Sequence, residues 1–288
     1  LYWRLGLSQS RSGQHREAIR SFEQAIRLNP QRPDYHLELG HSLNSVGELN
    51  RAFEAFQRCA DLCTDAKKAA MAHYDRGVAL VKLDRPVEAE AAFRTALGFY
   101  PGMLGAIRAL VALWTKQGRH EEALAQVLSL PKEVADRPEA LELRRTLHSA
   151  LGDWLAVAEV CQKLTALGVR SARVRTALGQ AREHLGDLEA AVKHYEEAVT
   201  LDPEYAPAWA AIGQYCQRIG NLSMAKEALA MAVTLGLRSA ETLSTLGIIC
   251  LERGERAEAE RYFKRALEID PQNEVARANA GELVTAGR

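Results

Sequence analysis

A glycine returns along this chain with a fixed step. Gly13 and Gly47 are 34 residues apart, and Gly118, Gly152, Gly186, Gly220 and Gly254 continue at the same interval. Asp84 takes the place once, after one longer step of 37 residues from Gly47. A period of this length, held through 288 residues, argues against one central core. Each unit buries its apolar face against its neighbours, and the units form an array.

The stretch Ala172 to Tyr205, ARVRTALGQAREHLGDLEAAVKHYEEAVTLDPEY, is the clearest copy. It holds two amphipathic helical patterns separated by Gly186-Asp187 and closed by Asp202-Pro203. Gly186 relieves the strain of a tight turn between helices. Asp187 is placed to cap the second helix through its side-chain oxygen. Pro203 disfavours helical geometry at Asp202, so the second helix ends there. Gly179 and Ala191 stand where the two helices cross and a larger side chain would push them apart, while Tyr195 fills the space towards the next unit.

These residues resemble the tetratricopeptide repeat, whose signature is W-x2-L-G-x2-Y, then alanine, an aromatic and alanine in the second helix, then proline. In that copy the matches are Leu178-Gly179, Ala191, Tyr195, Ala198 and Pro203. The first repeat gives Leu5-Gly6, Ala18, Phe22, Ala25 and Pro30, and the second Leu39-Gly40, Ala52 and Phe56. The third gives Gly77, Ala89, Phe93, Ala96 and Pro101. The seventh gives Trp209, Ile212-Gly213, Ala225 and Ala232, and the eighth Leu246-Gly247, Ala259, Phe263, Ala266 and Pro271. The resemblance covers nearly the whole chain. It implies an all-α, right-handed superhelical α-solenoid in a single domain over 1–288. The repeats fall at 1–32, 33–66, 70–103, 104–137, 138–171, 172–205, 206–239 and 240–273, with a capping helix over 274–286.

Three places depart from the pattern. Val111 and Arg145 replace the crossing glycine in repeats four and five, and Val127 and Cys161 replace the aromatic. Leu130-Pro131 should end the fourth repeat's second helix early and leave a longer connection up to Pro138. The 34-residue step survives, so the array is expected to continue with altered curvature; a flexible joint at Pro131 to Pro138 is the alternative. The three extra residues fall in Thr64 to Ala69, where a helix lengthened by one turn accommodates them. In the tail, Gly281 takes the crossing position of one more first helix, read as a cap. Leu1 falls inside a first helix, which suggests a fragment of a longer chain.

Lys plus Arg and Asp plus Glu each number 37, so the basic footprint of a nucleic-acid binder is missing. No apolar run reaches the roughly 18 to 20 residues of a spanning helix, and LYWRLGLSQS is no signal peptide. Five cysteines, an odd number at mostly apolar positions, favour buried thiols and a reducing, cytoplasmic compartment. The Arg-rich, Lys-poor and Ala-rich composition fits a bacterial origin.

There is no phosphate loop, nucleophile elbow or His-Glu-x-x-His helix, so no enzyme activity and no cofactor are expected. Cys59 and Cys63 lie four apart but lack further ligands nearby, and they read as packing residues rather than a metal site. Cys216 and Cys250 hold equivalent core positions. The remaining chemistry is recognition. The resemblance implies that first helices line a concave groove that takes a partner's peptide or helix. By position the groove candidates are His41 and Asn44, then Tyr74 and Lys82, Arg108 and Lys116, and Thr146. Arg173, Thr176, Gln180 and Glu183 follow in repeat six, then Gln214, Gln217 and Arg218, and finally Ser244. Gln180 and Gln214 can bond a peptide backbone without reading its sequence, and Arg108, Arg173 and Arg218 can meet acidic groups.

Two subclasses of the family do not fit. Where a chaperone-tail clamp needs Lys and Asn, the chain has Trp3, Leu7, Glu38, Met71 and Asp75. An asparagine ladder is absent too, since its places carry Glu38, Asp75, Ala109, Leu143, Ala177, Ala211 and Thr245. The expected role is a protein-binding scaffold without nucleic-acid binding or membrane insertion. The alternatives are a recognition arm of a larger enzyme, such as a glycosyltransferase, kinase or methyltransferase, and self-assembly through the open ends of the array.

Overall fold

The turn glycines explain the local architecture. Each adopts the left-handed backbone that side chains disfavour, with φ between +73° at Gly152 and +87° at Gly186. The next residue's amide then bonds back to a carbonyl five residues earlier: Gln14 to Gln9 at 2.9 Å, Arg119 to Trp114 at 2.8 Å, Asp187 to Arg182 at 2.9 Å. This closes the first helix of each pair and turns the chain into the second. Asp84 does the same work at φ +56° without glycine. Asp187 then accepts from the Ala190 amide at 3.1 Å, and Asp153 and Asn221 do likewise in their repeats, each at 3.2 Å.

The structure is a computed structural model. It describes residues 1–286, with side chains up to 280. All regular structure among the described residues is helical. The chain divides into two units, Leu1–Leu151 and Gly152–Arg288.

The first unit holds α1 (Tyr2–Arg11), α2 (His15–Leu28), α3 (Pro33–Ser45), α4 (Leu49–Leu62), α5 (Ala66–Lys82), α6 (Pro86–Phe99), α7 (Leu104–Lys116), α8 (His120–Leu128), α9 (Lys132–Ala135) and α10 (Pro138–Ala150). Successive pairs form antiparallel hairpins, and each second helix packs on the first helix of the next pair. Phe22, Phe56 and Phe93 are buried at the hairpin crossings. A Cβ added to Gly40 would come within 2.5 Å of the Phe56 ring, so the glycine is required by that close approach. In the fourth hairpin Val111 and Val127 fill the equivalent space, both buried in one cluster. The inserted residues lengthen α5 to 17 residues, against 13 in α3.

The expected early stop after Leu130 is present, since α8 ends at Leu128. The connection is not an open joint. It holds the single turn α9, and Leu130 and Val134 are buried in the same cluster as Leu97 and Trp114.

The second unit holds α11 (Trp154–Ala166), α12 (Ala172–His184), α13 (Leu188–Leu201), α14 (Ala206–Arg218), α15 (Leu222–Thr234), α16 (Ala240–Glu252), α17 (Arg256–Ile269) and α18 (Glu274–Ala286). Three hairpins stack in sequence, and α18 packs on α16 and α17, burying Ala276. Gly281 lies beyond the residues whose side chains are described. Tyr195, Leu229 and Phe263 take the crossing positions and are fully buried.

Candidate functional site

In both units neighbouring first helices touch one another: α1 with α3, α5 with α7 and α7 with α10 in the first unit, α12 with α14 and α14 with α16 in the second. They present one face in each unit, and most candidate residues lie on it.

In the first unit the face is stitched by polar contacts one repeat apart. His41 Nε2 on α3 lies 2.9 Å from Asp75 Oδ2 on α5, and this hydrogen bond holds the imidazole pKa above its ordinary value. Lys82 Nζ donates to Asn44 Oδ1 at 2.8 Å, so two of the candidates meet each other. Lys68 Nζ reaches Asp34 at 2.6 Å. Tyr74 is half-buried, its ring centroid 5.9 Å from that of Phe93. Arg108 and Lys116 are exposed. Thr146 is exposed, and its hydroxyl is satisfied by the Glu142 carbonyl of its own helix at 2.9 Å.

Between α5 and α7 this face opens into a recess of about 560 Å³. Val78 and Val81 of α5, Ala109, Ala112 and Leu113 of α7, and Phe93 and Pro86 of α6 form its apolar walls. Lys82, Lys116, Gln117 and Asp84 supply the polar edge. Its volume, and its apolar walls with few polar groups, fall in the range found for pockets. Val81 is 48% exposed, which leaves apolar surface open to water.

Val78, Val81 and Ala112 are not among the residues expected from the sequence. Val78 and Ala112 hold the same register as Gln180 and Gln214, a place assigned to polar contacts. Aliphatic residues there were the available signal.

In the second unit Arg173 and Gln180 are exposed, and Gln214 and Gln217 are half-buried. Glu183 accepts from the Tyr195 phenol, and its carboxylate also meets the Arg218 guanidinium, which ties α12 to α13 and α14. Two candidates do not belong on an open face. Thr176 and Ser244 are each only 3% exposed. The small residues Ala208 and Ala211 of α14 are themselves buried, and α12 packs directly on α14, so the register position of Thr176 closes. Ser244 is occupied by the Ala240 carbonyl at 2.8 Å and Asn273 Oδ1 at 2.9 Å.

Two further places have chemistry of their own. Cys250, Glu255 and Glu258 are close enough to share a metal ion. Lys226 Nζ already sits 2.7 Å from each carboxylate. Glu255 is held down to about 2 by Lys226, and burial pushes the Cys250 thiol up to about 11. A thiolate ligand is therefore disfavoured there. A smaller recess of about 240 Å³, edged by Arg238, Arg265 and Glu268, lies beside α15, α16 and α17. The Cys59 and Cys63 sulfurs are 3.8 Å apart, with Cys59 buried.

Models of known families match most of the chain. Residues 4–67 and 80–147 match tetratricopeptide repeat models, and residues 176–286 match the middle TPR-like domain of cilia and flagella-associated protein 70. The chain belongs to the tetratricopeptide repeat family. No curated protein sequence matches it. Among solved structures it is similar to a tetratricopeptide repeat protein from Parabacteroides merdae, with TM-score 0.69 and 17% identity over 88% of this chain and 98% of that one. It is also similar to a chain of the APC/C hetero-tetramer Cut9–Hcn1, with TM-score 0.64 and 18% identity over 93% of this chain. It spans 52% of that longer chain. At these identities the likeness is one of fold. Tetratricopeptide arrays are, as a class, protein-interaction modules, and the helix pairs here are of that type. No helix among the described residues is long and apolar enough to cross a membrane.

Proposed function

We propose that this tetratricopeptide chain is a non-enzymatic scaffold that docks a peptide or helix of a partner protein on its first-helix face. The array is read as one solenoid over 1–288. The observation that carries the docking reading is the recess between α5 and α7, an apolar hollow on a face whose other exposed side chains are mostly polar. A hollow with apolar walls and a few polar groups at its edge is the form that binding pockets take. Asn44, Tyr74, Lys82, Arg108 and Lys116 surround or continue that face, while Arg173, Gln180, Gln214, Gln217 and Arg218 offer polar contacts on the second unit.

A photo-crosslinking residue at Ala112, inside the recess, tests the reading against one at Val87, which is 79% exposed on α6. Ala112 should capture a defined protein band from cell extract and Val87 should not. Capture only at Val87, or at neither, overturns the docking site.

A further inference from the structure

The charge around the recess is unequal. Lys82 and Lys116 stand 34 residues apart, at the same register on α5 and α7, and both line it. Among the described residues the one hydrogen bond of Lys82 goes to the neutral carboxamide of Asn44, which leaves two of its three donors unused there. Lys116 has no carboxylate within ion-pair distance among the described residues, and neither has Arg108 further along α7. Two arginines that follow these helices are already neutralised. Arg85 is held by Glu88 at 2.6 Å, and Arg119 by Glu90 and Glu122, each at 2.7 Å. On the acidic side, Asp75 is committed to His41. Among the described residues Asp84 is the one carboxylate lining the recess, and it pairs with neither lysine.

We propose that the recess recognises an acidic segment of a partner protein, one that places a Leu, Ile, Met or Phe between α5 and α7 and sets flanking Asp or Glu side chains against Lys82 and Lys116. This rests on the docking reading above and adds the chemistry of the occupant. The two parts of the site have different roles. Apolar burial supplies most of the attraction. The lysine pair orients the segment and excludes basic partners, because complementary charge governs specificity and association rate more than raw affinity. Added salt should weaken binding, since such charges are screened over about 10 Å at 0.1 M ionic strength.

A random-peptide phage library panned on the whole chain tests this, with Val81→Arg blocking the recess and Lys82→Glu/Lys116→Glu reversing its edge. Circular dichroism confirms that both variants fold. The expected selection from the unaltered chain is peptides with Asp or Glu beside a large apolar residue. Their affinity should drop about tenfold or more in either variant, the scale of 1.4 kcal/mol. The charge-reversed variant should instead enrich Lys and Arg. Selection of peptides without acidic enrichment overturns the proposal, as does selection of none. If Val81→Arg abolishes binding and charge reversal does not, the acidic preference fails while docking in the recess stands. If neither variant weakens binding, both readings fail.

Discussion

His41 on α3 and Asp75 on α5 join equivalent helices of consecutive repeats through a 2.9 Å hydrogen bond. His41 is 41% exposed and Asp75 18%, so the pair is partly solvated and its worth is a few tenths of a kcal/mol. Asp75, and more weakly Glu38, raise the imidazole pKa above 6.5. A raised folded value means that protonated His41 stabilises the fold. That contribution is complete below the unfolded value, near 6.5, and is lost as pH climbs through the higher folded value. NMR titration of the His41 ring should therefore give a midpoint above the ordinary one, and Asp75→Asn should lower it. A midpoint indifferent to Asp75→Asn would show that the two side chains are not coupled.

Gly40 and Phe56 form a size-matched pair, and Val111 and Val127 are its counterpart in the fourth hairpin. Gly40→Val should overpack the crossing and cost about 1–3 kcal/mol. Phe56→Val should leave a cavity at a cost of about 2–3 kcal/mol. Together they recreate the fourth hairpin's solution. The double variant should thus be more stable than the two losses summed, by about 1 kcal/mol or more. Urea unfolding of the four proteins measures this, and strictly additive losses would refute the exchange.

The connection from Pro131 to Pro138 is pinned by Leu130 and Val134. Limited proteolysis should leave it intact while cutting other surface loops first. Val134→Asp puts a charge into that cluster and should expose the connection to early cleavage. First cleavage there in the unaltered chain would mean that the burial of Val134 does not hold the segment.

The hairpins were legible because their cause is local. A turn needing positive φ selects glycine, and the glycine at the crossing answers one ring sixteen residues later, as Gly179 does Tyr195. The lengthened α5 and the early end of α8 followed from the same local rules. The candidate face was only half legible. Thr176 has a groove register, yet its exposure depends on how closely α14 approaches, which the alanines of another repeat decide. Val78, Val81 and Ala112 resemble core residues in the sequence. Their groove register is the one hint in the sequence, and the arrangement of α5 beside α7 shows that the space over them is open.

The stitching of the repeats bears on how such a chain forms. Lys82 reaches back 38 residues to Asn44, His41 forward 34 to Asp75, and Lys226 forward 29 and 32 to its two carboxylates. With side-chain partners so near in sequence, the loops to be closed are short and contact order is low. A hairpin leaving the ribosome can complete its bonds to the one before it while the one after is still being synthesised.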